Sequence, residues 1–266
     1  FPQMEKSQKA FHDGFNNPNL HQRDRDGNAI MYIISKCGIR VGEEGHYRTT
    51  AAEIEAGTIA HKSQTEPTRG AVTLWKKDVT IKGDSVHLSF TGKHGVHNTA
   101  IVTDKKLAQY MEHRMSGKSD KDFVFEAQKT NATNAIKAAT KAGHLDASNA
   151  KRGKWTPHNW RTVIGTTVAA HALMDQGPLT LSKDPVQASA QIQERINAAS
   201  VVVGKALNNG PDKALESYIH PGLIHSFIEY MGSEHLEHFF KHLRFTDLLK
   251  AIDAENLRSN PTVTSL

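Results

Sequence analysis

A chain of 266 residues, 38% hydrophobic and 23% charged, has ample material for a buried core and lacks the bias of a disordered or collagenous protein. No apolar run approaches the roughly 18 residues that span a bilayer, and the opening FPQMEKSQKA holds neither a signal-type apolar stretch nor an initiator Met. The one cysteine, Cys37, excludes an internal disulfide, a Cys-rich zinc site and an iron–sulfur cluster; Lys and Arg total 33 against 28 Asp and Glu, and the +5 balance hints at a polyanionic partner.

Residues 1–28 are polar and Asn-rich and read as an irregular lead-in to a single domain over 29–266. From Ala29, the residues Ile30, Ile33, Ile34, Cys37 and Val41 fall at helical spacing, with Gly42 as a stop. Residues 49–69 are polar and loop-like. Over about 71–102 the period changes to alternation rich in Val, Thr, Ile and Phe. Turn signals at 82–84 and 92–95 divide it into a three-stranded antiparallel meander near 71–81, 85–91 and 97–102. The rest is helical. Thr103 can cap a helix carrying Leu107, Met111 and Met115, and another covers about 130–142. Thr156-Pro157 and Asp184-Pro185 each place a cap before a proline at the first helical position. The second opens a helix to about Leu207; Pro211 opens another, and tail helices fill about 222–256. The fold class is α+β, mainly helical with a small antiparallel sheet near its start.

Four segments carry chemistry on this scaffold. They are Gly38-Ile39-Arg40-Val41-Gly42, Phe90-Thr91-Gly92-Lys93-His94-Gly95, Thr156-Pro157-His158-Asn159-Trp160-Arg161-Thr162, and Asn208-Asn209 followed by Ser217-Tyr218-Ile219-His220-Pro221. Each has an ordinary reading alone. Arg40 complements a helix dipole, Lys93 is a solvated turn lysine, Arg161 a surface residue and Tyr218 a half-buried tyrosine. In this order they resemble the catalytic domain of type IB DNA topoisomerases, in the poxvirus-like and bacterial branch, from about Phe11 to about Tyr230. Gly70-Ala71-Val72-Thr73-Leu74, opening the sheet, belongs to the same likeness.

The resemblance implies a DNA breaking-rejoining fold, shared with tyrosine recombinases, and relaxation of supercoiled duplex DNA through a 3′-phosphotyrosyl intermediate. It makes Tyr218 the nucleophile. Arg40 and Arg161 clamp the nonbridging oxygens of the pentacoordinate transition state, where a guanidinium fork suits phosphate. Lys93 protonates the departing 5′-oxygen as general acid. Protein cations serve in place of a metal, and no cofactor or ATP is required; no G-x-x-x-x-G-K-[ST] loop occurs. Asn209 stands where many relatives have histidine, and it keeps a donor without a charge. His158 stands where relatives usually have lysine, so its charge follows pH near neutrality.

Lys141, Lys151, Arg152 and Lys154 form a basic stretch before the Arg161 segment, with only Asp146 opposing it, and fit phosphate contacts on duplex DNA. Relatives carry a smaller N-terminal lobe, and this chain begins close to the catalytic domain. The resemblance implies a monomer that is DNA-associated, in a bacterial nucleoid or viral replication compartment of the cytoplasm, with no membrane role. Two other readings compete. His158-Asn159-Trp160-Arg161 fits the His-x-x-Arg box of a tyrosine recombinase, and a non-catalytic DNA-binding module could keep the scaffold. His235, His238 and His242 share a helical face with zinc-like spacing, but Leu236, Phe239 and Phe240 give that segment a packing face, and no metal site is assigned. His97, His144 and His171 read as structural or surface residues.

Overall fold

The computed structural model describes residues 2–60, 64–146, 155–177 and 179–230. These fall into two compact units. Among the described residues the first spans Gln3–Asn159 and the second Trp160–Tyr230.

The first unit opens with α1 (Pro2–Asn16) and α2 (Gln22–Cys37). The irregular lead-in is therefore helix. Met4, Phe11 and Phe15 of α1 are fully buried at spacings of seven and four, a narrow apolar stripe masked by polar neighbours. Ser7 and Gln8 are buried too, and Gln8 Nε2 donates to the Ser35 carbonyl at 2.9 Å. Ile30, Ile33 and Ile34 of α2 are completely buried, as their spacing requires, and each contributes about 1.5–3 kcal/mol. The helix stops at a left-handed Gly38, four residues before the expected Gly42. α3 (Glu44–Glu55) takes in the first third of the loop expected over 49–69.

The sheet is the meander β1 (Val79–Lys82), β2 (Ser85–Thr91) and β3 (His97–Thr103), with β2 central and both pairings antiparallel. Leu88 stands opposite Val79 on one side and Ala100 on the other. Val86, Leu88, Phe90, Ala100 and Val102 form its buried face, which packs on α2 and α4 (Lys105–Met115). Residues 71–78, expected as strand, form two single 3₁₀ turns. The Asp104 carboxylate, one residue past the expected Thr103 cap, receives the Leu107 amide at 2.8 Å. α5 (Lys129–Lys141) packs across α2.

The second unit continues α6 (Pro157–Asp175) into α7 (Pro185–Ala206), α8 (Pro211–Tyr218) and α9 (Pro221–Tyr230). All four begin on a proline, as the missing N–H and fixed φ favour. Asp184 caps α7 through the Val186 and Gln187 amides. At α6 the cap is inverted: the Asn159 side chain accepts from the Thr156 amide at 2.7 Å and its hydroxyl at 2.8 Å. The core joins Ile164, Val168 and Leu173 of α6 to Ile196 and Val203 of α7 and to Ile219, Leu223 and Phe227. Among the described residues no helix is long and apolar enough to cross a membrane. The tail beyond residue 230, with His235, His238 and His242, lies outside the described residues.

Candidate active site

In the second unit, Tyr218 and Arg161 meet. Both are almost fully buried, at 2% and 4% exposure, where the ordinary readings had a half-exposed tyrosine and a surface arginine. The Arg161 guanidinium carbon lies 4.7 Å from the centroid of the Tyr218 ring. One of its nitrogens donates to the Leu207 carbonyl at 3.0 Å. Asn209 Nδ2 donates to the same carbonyl at 2.6 Å. A charged fork and a neutral amide are thus gathered at one acceptor, beside a phenol.

The local sequence explains that carbonyl. α7 ends in a Schellman motif. Asn208 takes φ 52°, a left-handed conformation that asparagine tolerates. The Asn208 amide donates to Lys205 at 3.3 Å and the Asn209 amide to Gly204 at 2.7 Å. The chain reverses there, and Leu207, just outside the helix, presents its oxygen to side chains.

α6 also builds a seat for the tyrosine. The Thr162 hydroxyl donates to the Ser217 carbonyl at 3.3 Å. Thr166 Oγ1 accepts the His220 amide at 2.9 Å and lies 3.4 Å from the Tyr218 carbonyl. Between them, Gly165 lets the backbone close in: a Cβ there would stand 2.4 Å from the Tyr218 oxygen. Arg161, Thr162, Gly165 and Thr166 follow i, i+1, i+4, i+5 spacing and share one side of the helix. Sequence reasoning noted the Arg161-Thr162 pair and missed Gly165 and Thr166. A small-and-hydroxyl pair inside an apolar helix was the available signal.

Arg40 and Lys93 lie in the first unit, and one short segment positions both. Left-handed Gly38 ends α2, Ile39 is buried as an anchor, and Arg40 follows half-exposed outside any helix or strand. The Arg40 carbonyl accepts the Ala71 amide at 2.9 Å, and Val41 accepts Val72 at 2.8 Å. Gly70 makes this approach possible, since a Cβ there would lie 2.6 Å from Gly42 and 2.8 Å from the Arg40 oxygen. One residue back, the Arg69 amide donates to the Thr91 carbonyl at 2.9 Å, at the base of the hairpin whose tip carries exposed Lys93. Residues 69–71 therefore tie the Arg40 segment to the Lys93 hairpin.

An ion cluster fixes that tie. The buried Arg69 guanidinium bonds both oxygens of buried Asp78, at 2.7 and 3.0 Å. It stacks 4.1 Å from the Trp75 ring centroid and reaches Glu66 at 2.6 Å. Glu66 also pairs with Lys77. Burial opposes its charge, but the hydrogen bonds and charges of Lys77 and Arg69 prevail and pull its carboxyl down to about 2. A depressed carboxylate stabilises the fold above its unfolded value of 4.5 and loses that contribution as pH falls through about 2. Melting temperature should therefore fall in this acid window more steeply for the parent than for Glu66→Gln. Parallel curves would remove the clasp from the pH dependence.

The remaining candidates divide. His158 is exposed in the first turn of α6, and Lys141 is exposed at the end of α5. Lys151, Arg152 and Lys154 lie outside the described residues. Among the described residues no three His, Cys, Asp or Glu side chains are grouped to hold a metal ion. Cys37 is partly buried, and its sulfur lies 3.1 Å from the Ile33 carbonyl on its own helix.

No curated protein matches the chain. The family model described as "Eukaryotic DNA topoisomerase I, catalytic core" matches residues 7–221, a span that contains Arg40, Lys93, His158, Arg161, Asn209 and Tyr218. The match carries the family and not the poxvirus-like or bacterial branch. With most of the chain covered, and a buried Arg161–Tyr218 pair inside the matched span, the chain belongs to the DNA topoisomerase I catalytic-core family and is a type I DNA topoisomerase, an isomerase that acts on DNA.

Proposed function

We propose that the chain relaxes supercoiled duplex DNA by breaking and rejoining one strand through Tyr218. The Tyr218 oxygen attacks a backbone phosphorus and its proton passes to solvent. The bond to the 5′-oxygen breaks, and that oxygen leaves with a proton from Lys93. Arg161, Arg40 and Asn209 donate to the nonbridging oxygens, where negative charge grows in the transition state. His158 and Lys141, with Lys151, Arg152 and Lys154, hold flanking phosphates. The freed strand turns about its partner and torsion is released. The 5′-hydroxyl then attacks the phosphotyrosyl phosphorus and displaces the tyrosine. One phosphodiester is lost and one regained, so religation needs no ATP. A monomer acting on DNA wherever the genome is held suffices for this cycle.

One observation supports the reading most: Arg161 and Asn209 share the Leu207 carbonyl beside the Tyr218 ring. An acceptor of this kind holds two donors near the nucleophile before a phosphate oxygen claims them. Plasmid relaxation in EDTA, with detergent trapping of the protein–DNA adduct, tests it. Tyr218→Phe should abolish the adduct and slow relaxation by roughly 10⁴-fold or more, as loss of a nucleophile does elsewhere. An adduct that survives Tyr218→Phe would sink the assignment, and strand exchange between two sites without relaxation would favour the recombinase.

A further inference from the structure

The two faces of the sheet differ in kind. The one turned from α2 and α4 is mostly polar, with Thr80 and Lys82 of β1, Ser85, His87, Ser89 and Thr91 of β2, and His97, Thr99 and Thr103 of β3 around one half-exposed apolar residue, Ile101, opposite His87. Thr80, Lys82, Ser89 and His97 are exposed, and His87 and Thr99 half-exposed. Thr80 stands opposite His87, and Ser89 opposite Thr99. No Asp or Glu occurs in any of the three strands. A solvated sheet face ordinarily mixes charges of both signs; around Ile101 this one offers hydroxyls, imidazoles and one ammonium. The nearest acids stand at its margins. Asp84 occupies the β1–β2 turn, Asp104 follows β3 with its carboxylate held by Tyr32 and the Leu107 amide, and Glu66, 3.5 Å from the Thr91 hydroxyl, is already held by Arg69 and Lys77.

Such a face suits a polyanion. Half to two-thirds of protein–DNA hydrogen bonds go to phosphate and sugar, and Ser and Thr supply many of them. Lys82 marks one end of the face and Lys93, beyond the other end of β2, marks the opposite one. The seven residues of β2 set them about 20 Å apart, roughly the rise of six base pairs.

We propose that this face is a contact surface for the phosphate backbone of duplex DNA, continuous with the Lys93 hairpin tip; it rests on the reading of the chain as a DNA-relaxing enzyme. It assigns the sheet a second duty besides carrying Lys93. The hydroxyls donate to phosphate oxygens along the strand that the hairpin flanks, and the missing carboxylates spare the duplex any repulsion.

Anisotropy titration of a labelled duplex by the full chain tests it, in a Tyr218→Phe background so that binding is read without reaction. Ser89→Glu with Thr99→Glu places two negative charges at the centre of the face, and should weaken binding about tenfold or more near 0.15 M salt. Ser89→Lys with Thr99→Lys should tighten binding and steepen its logarithmic salt dependence by up to about two. Circular dichroism and melting establish that each variant folds, and the lysine pair decides the matter if the glutamate pair does not. Affinity and salt slope equal to the parent's in the folded variants would overturn the surface, including the case where a protein segment covers it. Adduct trapping with the parent chain separates the two claims. A Tyr218 adduct alongside indifferent sheet variants removes only the surface, whereas a parent that neither binds duplex nor forms an adduct removes both.

Discussion

Replacing Arg161 with lysine should slow single-turnover strand cleavage by about 10²–10³-fold, the usual cost of removing one transition-state donor. Lysine keeps the charge but loses three things at once. It cannot donate from a planar fork, it cannot stack on the Tyr218 ring as a guanidinium does, and its compact ammonium is costlier to strip of water. Arg161 is 4% exposed, so that last penalty applies nearly in full. Among its partners are the Leu207 carbonyl at 3.0 Å and the Tyr218 ring at 4.7 Å. A phosphate oxygen is a stronger acceptor for a guanidinium than a peptide carbonyl is. Duplex affinity should change by less than about threefold, because one phosphate among many sets little of the binding energy. Rapid quench of a duplex oligonucleotide with detergent trapping measures the first quantity, and anisotropy the second. A lysine variant that cleaves at the parent rate would remove Arg161 from the transition state. One that cleaves slowly only because it binds weakly would make it a docking residue.

Parts of this arrangement were open to reading. Proline at the first helical position marked three helices, at Pro157, Pro185 and Pro211, since proline's geometry is local and needs no tertiary context. Alternation marked β2 and β3 nearly to the residue. Residues 71–78 shared the composition but not the structure. The Thr73 hydroxyl and the Asp78 carboxylate bind the amides of Gly70 and Trp75 and turn the chain into 3₁₀ form. Side-chain competition for backbone amides defeats a reading based on hydropathy. α1 was hidden for a different reason. Three large apolar residues anchor it, and polar Ser7 and Gln8 fill the rest of its buried stripe.

The site divides the same way. Residue types and their order suggested Arg40, Lys93, Arg161 and Tyr218 through a family likeness. No sequence pattern shows a carbonyl shared by Arg161 and Asn209, because a left-handed Asn208 creates it. Nor does one show that residues 69–71 tie the Arg40 segment to the Lys93 hairpin, because backbone hydrogen bonds carry no side-chain signature. The Arg69–Asp78 pair is nine residues apart in sequence and reads as two ordinary charges until burial is known.

That burial gives Asp78→Ala a large expected stability loss. The Arg69 side chain is 1% exposed and that of Asp78 2%. Their two-point contact is supplemented by the Trp75 amide, which donates to Asp78 at 2.9 Å. Removing the carboxylate strands a guanidinium among Trp75, the Pro67 carbonyl and the partly exposed Glu66. Breaking a buried pair from one side costs about 3–5 kcal/mol, so the urea midpoint should drop accordingly. Part of the cost would be met by residues 66–70 loosening to let water reach Arg69. That loosening would also loosen the Arg69–Thr91 and Ala71–Arg40 bonds, and cleavage should slow even at temperatures where the variant stays folded. The double variant Arg69→Met/Asp78→Leu separates the effects. It removes both charges and keeps apolar bulk over Trp75, so most of the stability should return. If cleavage returns with it, the ion pair serves only to hold the segment. Asp78→Ala losing less than about 1 kcal/mol, the range of an exposed pair, would mean that solvent already reaches Arg69 and that the clasp is not what anchors the Arg40 segment to the Lys93 hairpin.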